Sequence, residues 1–136
     1  MLSAFLACDD PYQTAAMMTD VLGWRLVFAT PPDSDDKMAC VALGDAEVML
    51  STADEVFLPA ASREHRGAGV TIYVRLPDDV PIGPVHARHA ESGVVTDPLA
   101  RRPWGEDAFE ARIAGYHFLI ASEAGPLRQD GEFGDA

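Results

Sequence analysis

Four histidines, two cysteines and a scatter of carboxylates are the side chains here that are able to hold a metal ion or move a proton. His86 and His89 stand three apart in the run HARH, and on a helix that spacing puts both imidazoles on one face, where they can share an ion. Cys8, Cys40, His65 and His117 are dispersed and define no further ligand set. Without a metal, Glu47, Asp45 or His117 would have to serve as the base. The chain contains no glycine-rich phosphate loop, no GxSxG elbow and no Cys and His whose proximity the spacing supports. Single residues therefore say little, and the elements that position them must decide.

With 136 residues, 48% of them apolar and 24% charged, the chain has the length and composition of one globular domain with its own core. Ten basic against 22 acidic residues leave a net charge of −12, a field that repels phosphate backbones. Nucleic acid is therefore not the expected partner, and a charged ligand should be cationic. The apolar runs are too interrupted for a membrane span. Cys8 and Cys40 lie in separate apolar stretches with no disulfide spacing, which points to a reducing cytoplasm. The segment Leu2–Cys8 superficially resembles a lipoprotein cleavage site, but its apolar run is short and has no basic flank, so it is read as a first strand.

Alternation over Leu2–Cys8 stops at Asp9-Asp10-Pro11, where proline fixes φ and opens a helix running to Leu22 and closed by Gly23. Strands follow over Trp24–Ala29, Lys37–Leu43 and Ala46–Ser51, the last two joined at Gly44-Asp45. Thr52–Gly67 reads as a loop with room for a short helix around Val56, Phe57 and Leu58, broken by Pro59. The order then restarts. A strand over Val70–Leu76 meets Pro77-Asp78-Asp79, a helix spans Val80–Ser92 and ends at Gly93, and strands occupy Val94–Leu99, Asp107–Ala114 and Tyr116–Ser122. Asp10 recurs as Asp78, Gly23 as Gly93 and Gly44 as Gly115, at offsets of 68, 70 and 71 residues. A period this long within one domain implies an internal duplication of a βαβββ unit. Module 1 covers about residues 1–52, a connection 53–67, module 2 about 68–122 and a tail 123–136.

The run from Asp10 through Met17-Met18 to Leu22-Gly23-Trp24, then Leu43 to Leu50, then Leu76 to Val80, Trp104-Gly105 to Phe109 and Gly115 to Leu119 together resemble the vicinal oxygen chelate superfamily. That superfamily comprises glyoxalase, bleomycin-resistance and extradiol dioxygenase proteins. The resemblance spans nearly the whole chain and implies an α+β fold, two βαβββ modules forming an open mixed barrel around a cavity. It also implies a homodimer with each cavity completed by both chains. Metal-dependent relatives place a ligand on the first and last strand of each module; aligned on the helix-opening aspartates and closing strands, those positions here are Ser3, Met49, Thr71 and Leu119. Neutral hydroxyls, a thioether and a hydrocarbon do not suit a hard or borderline cation. On this reading no metal and no cofactor is expected, and His86 and His89, on a helix facing away from the cavity, are taken as solvated or capping side chains.

Strand parity separates a helix-packing face (Leu2, Ala4, Leu6, Val48, Leu50, Val70, Ile72, Val74, Leu76, Phe118, Ile120) from an opposite, mixed one. The mixed face offers Phe5, Glu47, Met49, Ser51, Tyr73, His117 and Leu119, with Phe28, Met38, Phe57 and Trp104 as further wall or rim residues; Trp24 is assigned to the core. Aromatic and flexible apolar groups with a few polar ones suit a small-molecule site. The leading expectation is a non-catalytic, metal-free protein that sequesters a bulky aromatic or cationic antibiotic. Its rival is a lyase or isomerase of the glyoxalase or dioxygenase kind, with an atypical metal or with Glu47 and His117 as acid and base.

Overall fold

The computed structural model describes residues 2–54 and 58–123. The chain runs β1 (Ala4–Cys8), α1 (Pro11–Asp20), β2 (Arg25–Ala29), β3 (Met38–Leu43), β4 (Ala46–Thr52), a 3₁₀ turn (Ala60–His65), β5 (Thr71–Arg75), α2 (Ile82–Glu91), β6 (Val95–Arg101), β7 (Glu106–Ile113) and β8 (Tyr116–Glu123). Among the described residues two separate four-stranded sheets form, ordered β1-β4-β3-β2 and β5-β8-β7-β6. In each, the first strand pairs parallel with the fourth and the other pairings are antiparallel. The duplication is thus realised as two mixed sheets that do not close on each other.

Local sequence explains the element ends. Asp10 accepts hydrogen bonds from the N–H groups of Tyr12 (3.0 Å) and Gln13 (3.2 Å), and Pro11 occupies the first helical turn, where its missing N–H costs nothing. Gly23 and Gly93 leave the two helices at φ +85° and +82°, the left-handed region open to glycine. α2 starts two residues later than the hydrophobic pattern suggests, at Ile82, after Pro81, with no side-chain cap. Pro98 lies in β6, an edge strand, where its lack of a donor is tolerated and the register shifts.

Each helix covers one face of its own sheet, and the two helix-bearing faces share a single core that includes Met18, Leu22, Trp24, Leu50, Phe109 and Phe118. Trp24, just before β2, meets Phe118 of the other module edge-on at 5.8 Å. Its Nε1–H donates to His89 Nε2 (3.1 Å), and the opposite ring nitrogen of His89, which must then carry the proton, donates to the carbonyl of Val85 (2.7 Å). From α2, Arg88 donates to the carbonyls of Asp20 and Val21, capping the C-terminus of α1. Among the strand residues assigned to the helix side, Leu6, Val48, Leu50, Val74, Leu76, Phe118 and Ile120 are buried; Leu2 and Val70 precede the first paired residues and are exposed.

His86 and His89 depart from their expected solvated or capping role. His89 is fully buried and both rings pack on Phe109, at centroid distances of 5.1 and 5.3 Å. The reason is geometric: both residues fall on the stripe of α2 that faces β6 and β7, and His86 Nε2 accepts the N–H of Leu99. Burial in this apolar layer pushes the His89 imidazole below its ordinary pKa.

Candidate functional site

The faces opposite the helices look outward, and the registers define what lies on them. On module 1, Phe5 pairs with Met49, Met49 with Cys40 and Cys40 with Phe28, one row across all four strands. The next row is Ala7, Ser51 and Met38, and on the other side Glu47 faces Ala42, which faces Arg25. Phe5 and Phe28 are exposed, Met38, Met49, Glu47 and Ser51 half-buried, and the small Cys40 is covered by its larger neighbours. The Cys40 thiol donates to Glu47 Oε1 (3.7 Å); burial first, then the carboxylate, hold its pKa up. Ser51 Oγ is buried without a partner among the described residues.

On module 2, the row equivalent to Phe5–Phe28 is Tyr73, Leu119, Glu110 and Asp97, and the neighbouring row is Thr71, His117 and Arg112. His117 Nε2 lies 2.7 Å from Glu110 Oε1, and its Nδ1 lies 2.8 Å from Thr71 Oγ1. Arg102 bonds Asp97 at 2.9 Å; this bond, then the contact with Glu110, hold the Asp97 carboxyl below the usual range. At the far end, Glu106 accepts from Trp104 Nε1 (2.8 Å) and from the Tyr73 hydroxyl, with Arg75 beside it at 3.7 Å. Loss of water contact, reinforced by Glu106, pushes the Tyr73 phenol up to about 12. Trp104 lies in the turn between β6 and β7 and is exposed.

The candidate residues therefore separate into two groups. Phe5, Phe28, Met38, Glu47, Met49 and Ser51 share the outer face of module 1; Tyr73, His117 and Leu119, with Trp104 tied on through Glu106, share that of module 2. Phe57 lies outside the described residues. Glu47 and Tyr73 line one hollow of about 460 Å³ where β1 and β4 approach β5, but His117 belongs to a different hollow. Sequence reasoning missed Glu106, Glu110, Arg112, Asp97 and Arg25. Parity within β7, propagated through the hairpin at Gly115, carries the signal for the first three; the register shifts beside β2 and β6 hide the other two.

At Ser3, Met49, Thr71 and Leu119, the positions where the resemblance implies ligands, the donor set does not fit a metal. Ser3 Oγ donates to the Glu47 carbonyl (2.9 Å), Thr71 is engaged with His117, Met49 offers a thioether and Leu119 nothing. Among the described residues, no three His, Cys, Asp or Glu side chains cluster as a metal site would require. No described helix is long and apolar enough to cross a membrane.

No family model matches the sequence, and no curated protein matches it. Solved structures do. TioX from Micromonospora sp. ML1 superposes with a TM-score of 0.68 at 20% identity, covering 94% of this chain and 99% of that one. FosX, a fosfomycin resistance protein from Listeria monocytogenes complexed with Mn(II) and 1S,2S-dihydroxypropylphosphonic acid, gives 0.64 at 14% identity, with coverages of 96% and 95%. A bleomycin resistance determinant encoded on the transposon Tn5 gives 0.63 at 13% identity, covering 90% and 97%. Full-length superposition on these structures, with the two unclosed mixed sheets, shows that this chain has the glyoxalase/bleomycin resistance fold.

Proposed function

We propose that this protein binds and sequesters a bulky small molecule, aromatic or cationic, as an antibiotic-resistance protein does. The carrying observation is that Phe5 (53%), Phe28 (41%), Tyr73 (50%) and Trp104 (54%) stand exposed on the two outer faces. Soluble chains seldom leave such rings uncovered without a partner for them. Two chains paired so that module 1 of one protomer faces module 2 of its partner would enclose an apolar wall and a charged wall around one ligand. A flat ring would stack on Trp104, Tyr73 or Phe5, and the net charge of −12 would steer a cation inward. Two structural neighbours, FosX and the Tn5 determinant, are antibiotic-resistance proteins, which supports the reading. It requires no cofactor and suits the cytoplasm, where the buried free thiols of Cys8 and Cys40 stay reduced.

Tryptophan fluorescence titrated with a bleomycin-type glycopeptide and with a panel of polycyclic aromatic antibiotics tests the proposal, together with light scattering for oligomeric mass. Saturable quenching by at least one compound and a dimer mass are expected. A monomer indifferent to every compound would overturn it. The rival, a metal-dependent lyase or isomerase, draws on the Mn(II) complex of FosX. Stoichiometric tight binding of Zn, Ni, Mn or Fe by untagged protein would transfer the function to that class.

A further inference from the structure

The drug-binding reading assigns no chemistry to the hydrogen-bonded chain formed by Thr71, His117 and Glu110. These residues stand on three adjacent strands, β5, β8 and β7, and share one face. With Glu110 Oε1 accepting at Nε2, the neutral imidazole presents its bare Nδ1 to Thr71, so the threonine hydroxyl donates to it. This is the connectivity of hydroxyl, imidazole and carboxylate that activates a nucleophile.

Thr71 and His117 line a hollow of about 500 Å³ whose walls include Gly67, Gly69, Thr96 and Arg112. Thr71 is exposed to it and nothing crowds Gly69, around which a Cβ would find open space. Arg112 pairs with His117 in register, and one of its Nη groups is tied to the Gly115 carbonyl at 3.0 Å. Among the described residues its remaining side-chain N–H groups have no partner, leaving them available to a developing oxyanion.

We propose that Thr71, His117 and Arg112 form an acyl-transfer centre, positioned by Glu110, that cleaves small activated carboxylic esters. Thr71 Oγ bonds to the ester carbonyl carbon as its proton passes to His117 Nδ1, and the carbonyl electron pair moves onto an oxygen held by Arg112. Collapse breaks the bond to the alcohol oxygen, which departs with the proton from Nδ1. Water then adds to the acyl-threonine, gives its proton to Nδ1, and Thr71 Oγ leaves carrying that proton, releasing the acid. No metal, oxidant or second substrate besides water is needed, and the proposal stands or falls independently of drug capture.

The test uses the full chain with p-nitrophenyl acetate, read by nitrophenolate release and by mass spectrometry of the quenched protein. A burst stoichiometric with protein, one acetyl group on the peptide containing Thr71, and retention of both in Thr71→Ser are expected. Thr71→Ala should lose the acetyl group and slow the burst by about 10²-fold or more. Its unchanged tryptophan fluorescence would show that the fold persists, as expected for an exposed site. Glu110→Gln should lower the acylation rate about tenfold while the half-saturating ester concentration stays fixed, a split that general loosening of the fold would not give. Acetylation at Lys37 or elsewhere with Thr71 unmodified would overturn the assignment, as would Thr71→Ala reacting at the unsubstituted rate.

Discussion

The outer faces of the two modules occupy equivalent places in a duplicated scaffold, yet they are chemically unlike. The central row on module 1 is Phe5, Met49, Cys40 and Phe28; on module 2 the same row is Tyr73, Leu119, Glu110 and Asp97. Beside it, Glu47 and Ala42 have His117 and Arg112 as counterparts. The inner faces, by contrast, are both uniformly apolar, because each must pack on a helix and on the other module. Duplication preserved what the core requires and left the outer surfaces free to diverge into an apolar wall and a charged one.

One inner position breaks the symmetry. Trp24 corresponds to Val94, and its partner His89 to Thr19, so this bond between the modules has no second copy. Trp24→Ala should therefore damage the fold severely. It removes a buried indole packed on Phe118 and strands the His89 ring nitrogen, for an expected loss of about 3–5 kcal/mol in urea denaturation. A loss below about 1 kcal/mol would show that the modules are held together elsewhere, through Arg88 and Tyr116.

The same pair gives the fold an acid limb. Burial lowers the His89 pKa from its ordinary value of 6.5, so the unfolded chain binds a proton more readily than the folded one. The stability associated with neutral His89 is present above 6.5 and is lost as pH falls from there toward the depressed folded value. Urea midpoints measured through this range should fall in the unsubstituted protein and fall less in His89→Leu. Equal slopes would place the acid sensitivity on other groups.

This asymmetry marks how far the sequence could be read. Asp10, the helix-ending glycines and the hairpin glycines recur at a near-constant offset, and that repetition exposed the βαβββ order and the helix positions, while alternation exposed the inner faces of β1, β4, β5 and β8. Trp24 was legible as core from its own type, a large indole directly after the helix-ending Leu22-Gly23. His89 was not, because a histidine amid HARH looks polar by type and only the tertiary direction of α2 puts its ring against Phe109. The division of the candidate residues between two outward faces was equally hidden. Alternation assigns a residue to one side of a strand but does not say whether the two sheets curve toward a shared hollow or turn their backs.

If a ligand lies between unlike walls, removing an aromatic from either should weaken it. Trp104→Ala should cost about 1–3 kcal/mol of binding and Phe28→Ala somewhat less, both measured by fluorescence or calorimetry. Both side chains are exposed, so thermal stability should change by no more than about 0.5 kcal/mol. Loss at Trp104 with none at Phe28 would confine the ligand to module 2 and break the two-wall arrangement. Indifference at both would remove the outer faces from binding altogether.

The smallest expected effect separates the two modules at the level of one hydroxyl. Phe5 and Tyr73 hold equivalent positions, so Tyr73→Phe makes the module 2 row more like that of module 1 and removes the bond to Glu106. Trp104 Nε1 and Arg75 still serve that carboxylate, and Tyr73 is half exposed, so the loss near neutral pH should stay below about 1 kcal/mol. The alkaline limb is more telling. Tyr73, pushed up to about 12, stays neutral in the fold after an unfolded tyrosine has ionised near its ordinary value of 10. Its contribution is complete below 10 and disappears as pH rises from 10 toward about 12, a window in which Tyr116, raised by burial, also acts. Urea midpoints across that window should therefore drop less steeply in Tyr73→Phe, with the acid limb set by His89 untouched. An unchanged alkaline slope would mean that neither loss of water contact nor Glu106 restrains this phenol in solution, and that the corner joining Trp104 to the sheet is looser than its hydrogen bonds imply.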